Sequence, residues 1–331
     1  MTGNNNNQEI SERTKRVLSI QSHVVHGYVG NKAATFPLQY QGWEVDALNT
    51  VQFSNHPGYQ FFTGYSSSPN ELVDIISKGL IDESELSYDA ILTGYISDVE
   101  GLRKIGDLIS QLCKDSKKIK WLLDPVLGDN GKLYVSEENI KIYQEILRTA
   151  SIYVVTPNQF EMEVLTNVKI TDLPSLRVAF EVFREHYPTI QNVVVTSVEL
   201  PEHPDVLTSA CSTFNNADKN KLYIDIFEVP IIPAKFSGSG DLFSAILLNN
   251  LFSYKPVPKN EGELLKSALH RTLIQEDAIL KRTYELTLKE FNHTQTIDNL
   301  SIVKDLKLIQ SKDLLVDESL YSNVSFKCSS I

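Results

Sequence analysis

Short apolar runs rich in β-branched residues alternate with helical runs along this chain, and nearly every apolar run turns polar at its C-terminal end. The runs are RVLSIQS (16–22), WEVDALNTV (43–51), YDAILTGY (88–95), IKWLLDP (119–125), IYVVTPN (152–158) and NVVVTS (192–197). Helical stretches are expected near 31–41, from Pro69, over 98–115 and 136–150, and over 159–167 with a further helix to about Tyr187. Parallel strands need a crossover between them, so this alternation predicts a mostly parallel sheet covered by helices. In such a sheet the carboxyl ends of the strands share one rim, and ligands bind outside that rim. The polar ends are Gln21–Ser22, Asn49–Thr50, Thr93–Gly94–Tyr95, Asp124–Pro125, Thr156–Pro157–Asn158 and Thr196–Ser197. A single polar strand end is commonly the start of a loop, but so many on one rim predict a site.

The remaining elements are less regular. Leu207–Thr213 and Leu222–Val229 alternate apolar and polar residues, which predicts an antiparallel hairpin. Residues 255–300 begin with KPVPKNEGE and turn strongly helical, and 305–315 reads as a last helix and edge strand. Residues 1–14 read as a disordered tail and 317–331 as a C-terminal tail, leaving one domain over 15–316 with an extended helical segment at 256–300.

Composition narrows the function classes. The chain has 331 residues, 42% of them hydrophobic, enough for a large core. Its formal net charge of −11 speaks against a general nucleic-acid binder, and any anionic ligand must be held by local features. Cys113, Cys211 and Cys328 lie far apart and are odd in number, so neither a disulfide framework nor a zinc spacing is present. The N-terminal MTGNNNNQEISERTKR has no apolar core of a leader, and no apolar run is long enough to span a membrane. An intracellular protein is expected, in the cytoplasm and with the nucleus as a second compartment.

Several stretches carry chemistry. FSGSGDLFSAILL (236–248) reads as a strand end, a glycine turn and an apolar helix. Bare N–H groups at a helix start bind anions, yet Asp241 stands among them. A turn with an N-cap explains the same letters. A Walker A loop is absent, and the third glycine of a dinucleotide fingerprint is replaced by Phe243. Asp124 and Asp129 bracket DPVLGD, where they read either as Mg²⁺ ligands or as a turn residue and a cap. Asn158 and Glu161 stand three apart at a helix start, as a polar pair facing one way or as an N-cap and a first-turn acid. His23, His26 and His56 lack metal spacing and read as loop polar groups, while Gly27 and Gly30 would let backbone approach a ligand.

Together SIQSHVVHGYVGNKAATFPLQ, VQFSNHPGY, LTGY, DPVLGD, TPNQFE and GSGDLF resemble the pyridoxal kinase family of the ribokinase-like superfamily, in the same order from about Val17 to Leu315. The resemblance implies a three-layer α/β/α domain with a central, mainly parallel sheet, assembled as a homodimer. It implies transfer of the γ-phosphoryl of ATP to the 5′-hydroxymethyl of pyridoxal, pyridoxine or pyridoxamine. Asp241 would be the general base, with Gly238, Ser239 and Gly240 stabilising the transferring phosphoryl. Ser22, Val29, Val51, Phe53, Pro57 and Tyr95 would surround the pyridine ring. Asp124, Asp129, Asn158 and Glu161 would serve ATP and Mg²⁺, with Thr156, Thr196 and Asp124 lining a site for K⁺ or Na⁺. Thr196, Ser197, Tyr134, Ile232, Pro233, Ala234 and Ser239 would border the nucleotide.

Two positions depart from the family pattern. Pro57 stands where relatives carry Thr after SNH, and Ser239 replaces the Thr of Gly-Thr-Gly-Asp. The segment 255–300 is also extended relative to the family. The competing readings are a kinase for a hydroxymethylpyrimidine or a sugar, and a non-catalytic vitamer-binding protein. The ring-side motifs SIQSHVVHGYVGN and QFSNH favour pyridoxal over other kinase substrates, and Asp241, Asp124, Asn158 and Glu161 argue against a non-catalytic role.

Overall fold

The computed structural model describes residues 13–214, 221–253, 259–292 and 301–331. Its strands are β1 (Arg16–Val24), β2 (Glu44–Phe53), β3 (Gly64–Ser66), β4 (Ala90–Thr93), β5 (Lys120–Leu123), β6 (Gly128–Asp129), β7 (Lys132–Leu133), β8 (Val154–Val155), β9 (Asn192–Glu199), β10 (Val206–Thr213), β11 (Asp225–Pro230), β12 (Lys235–Phe236), β13 (Ile302–Val303) and β14 (Lys327–Ser330). Ten of them form one sheet in the order β14-β11-β10-β9-β8-β5-β4-β1-β2-β3. The stretch from β9 to β2 is parallel, while β10, β11, β14 and β3 are antiparallel to their neighbours.

The helices are α1 (Asn31–Tyr40), α2 (Pro69–Asp74), α3 (Val99–Asp115), α4 (Glu137–Thr149), α5 (Gln159–Thr166), α6 (Leu173–His186), α7 (Ser239–Ser253) and α8 (Glu261–Asn292), with α2 running on as a π-helix over Ile75–Glu83. Strand side chains alternate between two cores. Leu18, Ile20, Ile91, Trp121 and Leu123 pack with α2 to α6, whereas Val17, Ala90, Leu92 and Leu122 pack with α1, α7 and α8. Burial on both faces is why these strands read as continuous apolar runs. The result is the expected α/β/α sandwich.

Helix α3 shows how local sequence builds the layers. Leu102, Ile105, Ile109 and Cys113 recur at helical spacing and are all buried. Asp98 caps the helix by accepting from the Gly101 N–H at 2.6 Å, which contributes about 1 kcal/mol. Helix α7 differs, since every residue from Leu242 to Leu251 is buried. It is enclosed by the sheet, α1 and α8, and so holds the 238–241 turn rigidly at the rim.

The chain ends require correction. Residues 317–331 are no tail: β14 forms the outer strand of the main sheet, and Ile331 and Ile224 exchange backbone hydrogen bonds at 3.0 and 3.3 Å. Tyr321 and Phe326 are buried in the second core. The 305–315 stretch supplies a 3₁₀ helix (Ile309–Leu315), and β14 is the edge strand in its place. At the other end Arg13 pairs with Asp89 at 3.0 Å, so the chain is tied to the fold before residue 15. Residues 1–12 of the expected N-terminal tail, and 254–258 and 293–300 around the long helix, lie outside the described residues.

Candidate active site

The carboxyl ends of the parallel strands are stitched side by side by backbone bonds. The N–H of Gly94 donates to Ile20 O (3.1 Å), Asp124 to Thr93 O (2.9 Å), Thr156 to Leu123 O (3.1 Å) and Thr196 to Pro157 O (3.0 Å). This places Thr93–Tyr95, Asp124, Thr156–Asn158 and Thr196–Ser197 along one rim.

The glycine turn meets that rim at Asp241. The turn opens α7, with Ser239 Oγ donating to Phe236 O at 3.2 Å and Leu242 N–H to Gly238 O at 3.0 Å. Gly238 has φ +83°, and a Cβ there would lie 2.0 Å from Tyr28 O, so only glycine allows this approach. Across the contact, the Gly30 N–H donates to Asp241 Oδ2 at 2.7 Å. Burial pushes the Asp241 carboxyl up to about 6, against the stabilising bond from Gly30. Gly27 and Gly30 make room for neighbouring protein atoms: a Cβ on Gly30 would lie 2.1 Å from Ser22 O, and one on Gly27 2.2 Å from Asp305 Oδ1.

Asp124 and Glu161 form the acidic part of the site. Asp124 is buried, and its nearest hydroxyl donor is Ser244 Oγ at 3.5 Å, itself 3.4 Å from Thr156 Oγ1. Burial, then the charges of Glu161 and Asp241, raise Asp124 well above the usual carboxylate range. Glu161 is buried but well bonded. It accepts from the N–H groups of Leu127 (2.9 Å), Gly128 (3.4 Å) and Asn158 (2.9 Å), while Asn158 Oδ1 accepts from the Glu161 N–H at 2.9 Å. Asn158 Nδ2 also donates to Gly128 O at 2.8 Å. The pair is therefore a capping box that also clasps the loop carrying Asp129. Burial still pushes Glu161 up to about 8.

That loop is the β6–β7 hairpin. Asn130 (φ +50°) and Gly131 (φ +75°) form its two-residue turn, as a twisted hairpin requires. Asp129 is exposed and bonds Asn130, and Tyr134, just beyond β7, is 57% exposed. Among the described residues no group of three His, Cys, Asp or Glu side chains forms a ready-made metal centre. Asp124, Asp129 and Glu161 thus do not converge on one point. Mg²⁺ commonly takes only one or two carboxylates alongside substrate phosphates, so Asp124, buried with a single long hydrogen bond, still fits such an ion.

Beside the rim lies a cavity of about 720 Å³. Thr196, Ser197, Ile232, Pro233, Ala234, Ser239, Gly240 and Asp129 all line it, joined by Phe243 of α7 and by Leu273, Glu276, Asp277 and Leu280 of α8. Asp124, Asn158, Glu161, Thr156 and Tyr134 are not among its lining residues. The α8 residues carry no sequence signal beyond helical spacing.

On the other side of Asp241 stands the expected vitamer side. Val51 is buried and pairs with Ser66 of β3, and Phe53 packs on Phe62 with ring centroids 5.1 Å apart. Tyr95 O accepts from Thr50 Oγ1 at 2.8 Å, and Ser22, Val29 and Tyr95 are partly exposed. Pro57 is exposed, while its neighbour His56 is buried. His56 Nδ1 accepts from the Gly58 N–H at 3.0 Å, which makes Nε2 the donor to Lys304 O, also at 3.0 Å. Burial lowers the His56 pKa and favours this neutral form. Tyr59 donates to Asp305 Oδ2, with His26 Nε2 3.6 Å from the same oxygen. The loops at 26–27 and 56–59 are thus fastened to Asp305, an anchor invisible in the sequence pattern.

A ribokinase-like small-molecule kinase is the class that this sheet, its glycine turn with an acid, and the adjoining cavity define. A family model described as phosphomethylpyrimidine kinase matches residues 62–260. A Saccharomyces cerevisiae protein provisionally named a pyridoxal kinase is 48% identical over 310 residues, covering 93% of this chain and 95% of its own. The pyridoxal kinase of Arabidopsis thaliana is 39% identical over 304 residues, with 91% of each chain covered. Among solved structures, the Leishmania donovani pyridoxal kinase in complex with ADP and pyridoxine superposes with a TM-score of 0.80 at 30% identity, covering 96% of this chain and 99% of that one. The chain belongs to the pyridoxal kinase family.

Proposed function

We propose that this chain transfers the γ-phosphoryl of ATP to the 5′-hydroxymethyl of pyridoxal and its related vitamers. The observation that carries the reading is the position of Asp241. It stands in the first turn of α7, where Ser239 and Gly240 face the cavity and Gly30 ties the carboxylate to the opposite loop. A carboxylate pushed to about 6 is ionised at neutral pH yet basic enough to take a proton from an alcohol as it attacks. The N–H groups of Gly238, Ser239 and Gly240 would stabilise charge on the moving phosphoryl. Repulsion between Asp241 and the phosphates is offset because the carboxylate bonds the neutral alcohol.

Asp124 is the residue best suited to the Mg²⁺ that accompanies ATP, with Asp129 reaching in from the hairpin and Glu161 holding that hairpin. The ion would supply charge neutralisation of the phosphates. Thr156 and Thr196 remain the candidates for a monovalent cation beside Asp124. Ser22, Val29, Val51, Phe53 and Tyr95 would enclose the pyridine ring, with Pro57 at its border. Thr196, Ser197 and Ile232–Ala234 would take the nucleotide, with Tyr134 above it. Phe61, Phe62 and Tyr65 are exposed beside the edge strand β3, a patch suited to a homodimer contact. The cytoplasm, with the nucleus as the alternative compartment, is in keeping with this reading.

Purified protein with ATP, Mg²⁺ and pyridoxal should yield pyridoxal 5′-phosphate. Pyridoxine and a hydroxymethylpyrimidine run in parallel decide the substrate class. Binding of pyridoxal without turnover would refute the kinase reading, and preferred phosphorylation of the pyrimidine would refute pyridoxal as its substrate.

A further inference from the structure

Helix α8 gives one face to the cavity: Leu273, Glu276, Asp277 and Leu280 stand at i, i+3, i+4 and i+7. Two acids stand there between two leucines, with Phe243 of α7 also on the lining. Asp277 is held on one side, since its Oδ2 accepts from Lys281 Nζ at 2.7 Å while its buried Oδ1 has no hydrogen-bond partner among the described residues. Glu276 differs, for among the described residues it makes no hydrogen bond or ion pair. A carboxyl group half-buried between Leu273 and Leu280 without a partner costs free energy that a ligand contact would recover.

A nucleotide whose phosphates sit at the Ser239–Gly240 turn would extend past Phe243, one turn further along α7. We propose that Glu276 reads the edge of the nucleotide base and sets this enzyme's preference for adenine over guanine. The inference rests on the cavity being the nucleotide site. Its chemistry is that of matched donors and acceptors. Adenine presents an amino donor beside a ring-nitrogen acceptor, and a protonated carboxyl offers the complementary acceptor and O–H donor. Guanine presents two adjacent N–H donors, which suit an ionised carboxylate. Burial, aided by the charge of Asp277, pushes Glu276 up to about 8, so the protonated form prevails at neutral pH. The other charged groups around the cavity are Lys235 of β12, Lys281 behind Asp277, and Asp129, Glu163, Lys169 and Glu199 on the opposite wall.

The test compares ATP with GTP as donors to pyridoxal between pH 6.5 and 9, in wild type, Glu276→Gln and Glu276→Ala. Dissociation constants for ADP and GDP are measured on the same samples. The ratio of kcat/KM for ATP to that for GTP cancels every group that acts on the common phosphates or on pyridoxal. In wild type this ratio should fall about tenfold as pH rises through 8, and the ADP-to-GDP affinity ratio should fall with it. The Glu276→Gln amide keeps a donor and an acceptor without titrating, so its ratio should stay high and flat. Glu276→Ala should lower the ratio at neutral pH. A pH-dependent ratio surviving in Glu276→Gln, or wild-type discrimination in Glu276→Ala, would overturn the role of Glu276 alone. Absence of phosphorylated product with either nucleotide would overturn the kinase reading instead, while ADP and GDP binding would still report on Glu276.

Discussion

The Gly30 N–H donates to Asp241 Oδ2 at 2.7 Å, joining the loop after β1 to the first turn of α7. One carboxylate oxygen is thereby fixed and the other is left for an alcohol. With its pKa near 6, Asp241 loses its proton as pH rises through that value, and only the ionised form accepts one. The rate should fall tenfold per pH unit below about 6, well above the 3.8 of an ordinary aspartate. Asp241→Asn should lower kcat by about 10²–10⁴ and remove that limb, with ATP and pyridoxal binding changed only several-fold. A near-normal kcat in the variant would exclude Asp241 as the base.

Gly30 is a second point of attack on the same contact. A Cβ at this position meets Ser22 O at 2.1 Å and Ser22 Oγ at 2.3 Å, so Gly30→Ala must move the loop. Displacing the Asp241 anchor by about 1 Å should cost on the order of 10²-fold in kcat/KM. Circular dichroism should remain native, because β1 and α1 on either side of Gly30 keep their buried faces. Full activity in Gly30→Ala would show that the contact does not position the base.

The rim residues were legible in the sequence for a physical reason. A parallel strand buried on both faces stays apolar until it reaches the loops, so the letters change where the site begins. The turn was legible because so tight an approach needs Gly238, whereas the role of Asp241 came with the family resemblance, since an N-capped turn carries the same letters. Glu161 was only half legible: three-residue spacing permits a cap or a metal ligand, and the cap is what the bonds to Asn158, Leu127 and Gly128 form. The strand β14 left no pattern, since all four of its residues are exposed and its place comes from pairing with β11. The glycines at 27 and 30 announced close approach but not to what, and their neighbours are Asp305 and Ser22.

Glu161 gives a prediction about stability as well as metal. Its two oxygens accept three backbone N–H groups, two from the Asp129 loop and one from Asn158. Above pH 8, where Glu161 is ionised, Glu161→Gln replaces one acceptor with an NH₂, leaving a buried N–H facing a donor. The loss should be about 1–3 kcal/mol, read as a lower denaturant midpoint at unchanged slope. A loosened hairpin should also raise the Mg²⁺ concentration needed for half-maximal rate. Unchanged stability would mean that the clasp is replaceable by water.

Asp305 tests whether loop order sets vitamer affinity. It stands two residues beyond β13, which pairs with β12 just before the glycine turn. Its Oδ2 accepts from the Tyr59 hydroxyl, while a Cβ on Gly27 would strike its Oδ1. Burial and this bond to Asp305 hold the Tyr59 hydroxyl up at about 12, so it remains a donor throughout the working range. Tyr59→Phe keeps the ring packed 4.9 Å from His56 and removes only the donor. A hydrogen bond to a charged group contributes about 1.5–3 kcal/mol, so the loop at 56–59 should open more often. Ordering that loop then becomes a cost of vitamer binding, in the ground state and the transition state alike. The expected result is a KM for pyridoxal raised about tenfold or more, with kcat nearly unchanged. Protease cleavage within 54–63 should quicken in the variant and slow again with pyridoxal. An unchanged KM would mean that His56, through its own bonds to Gly58 and Lys304, holds the loop without Tyr59. A loss confined to kcat would move Tyr59 from substrate closure to the chemical step.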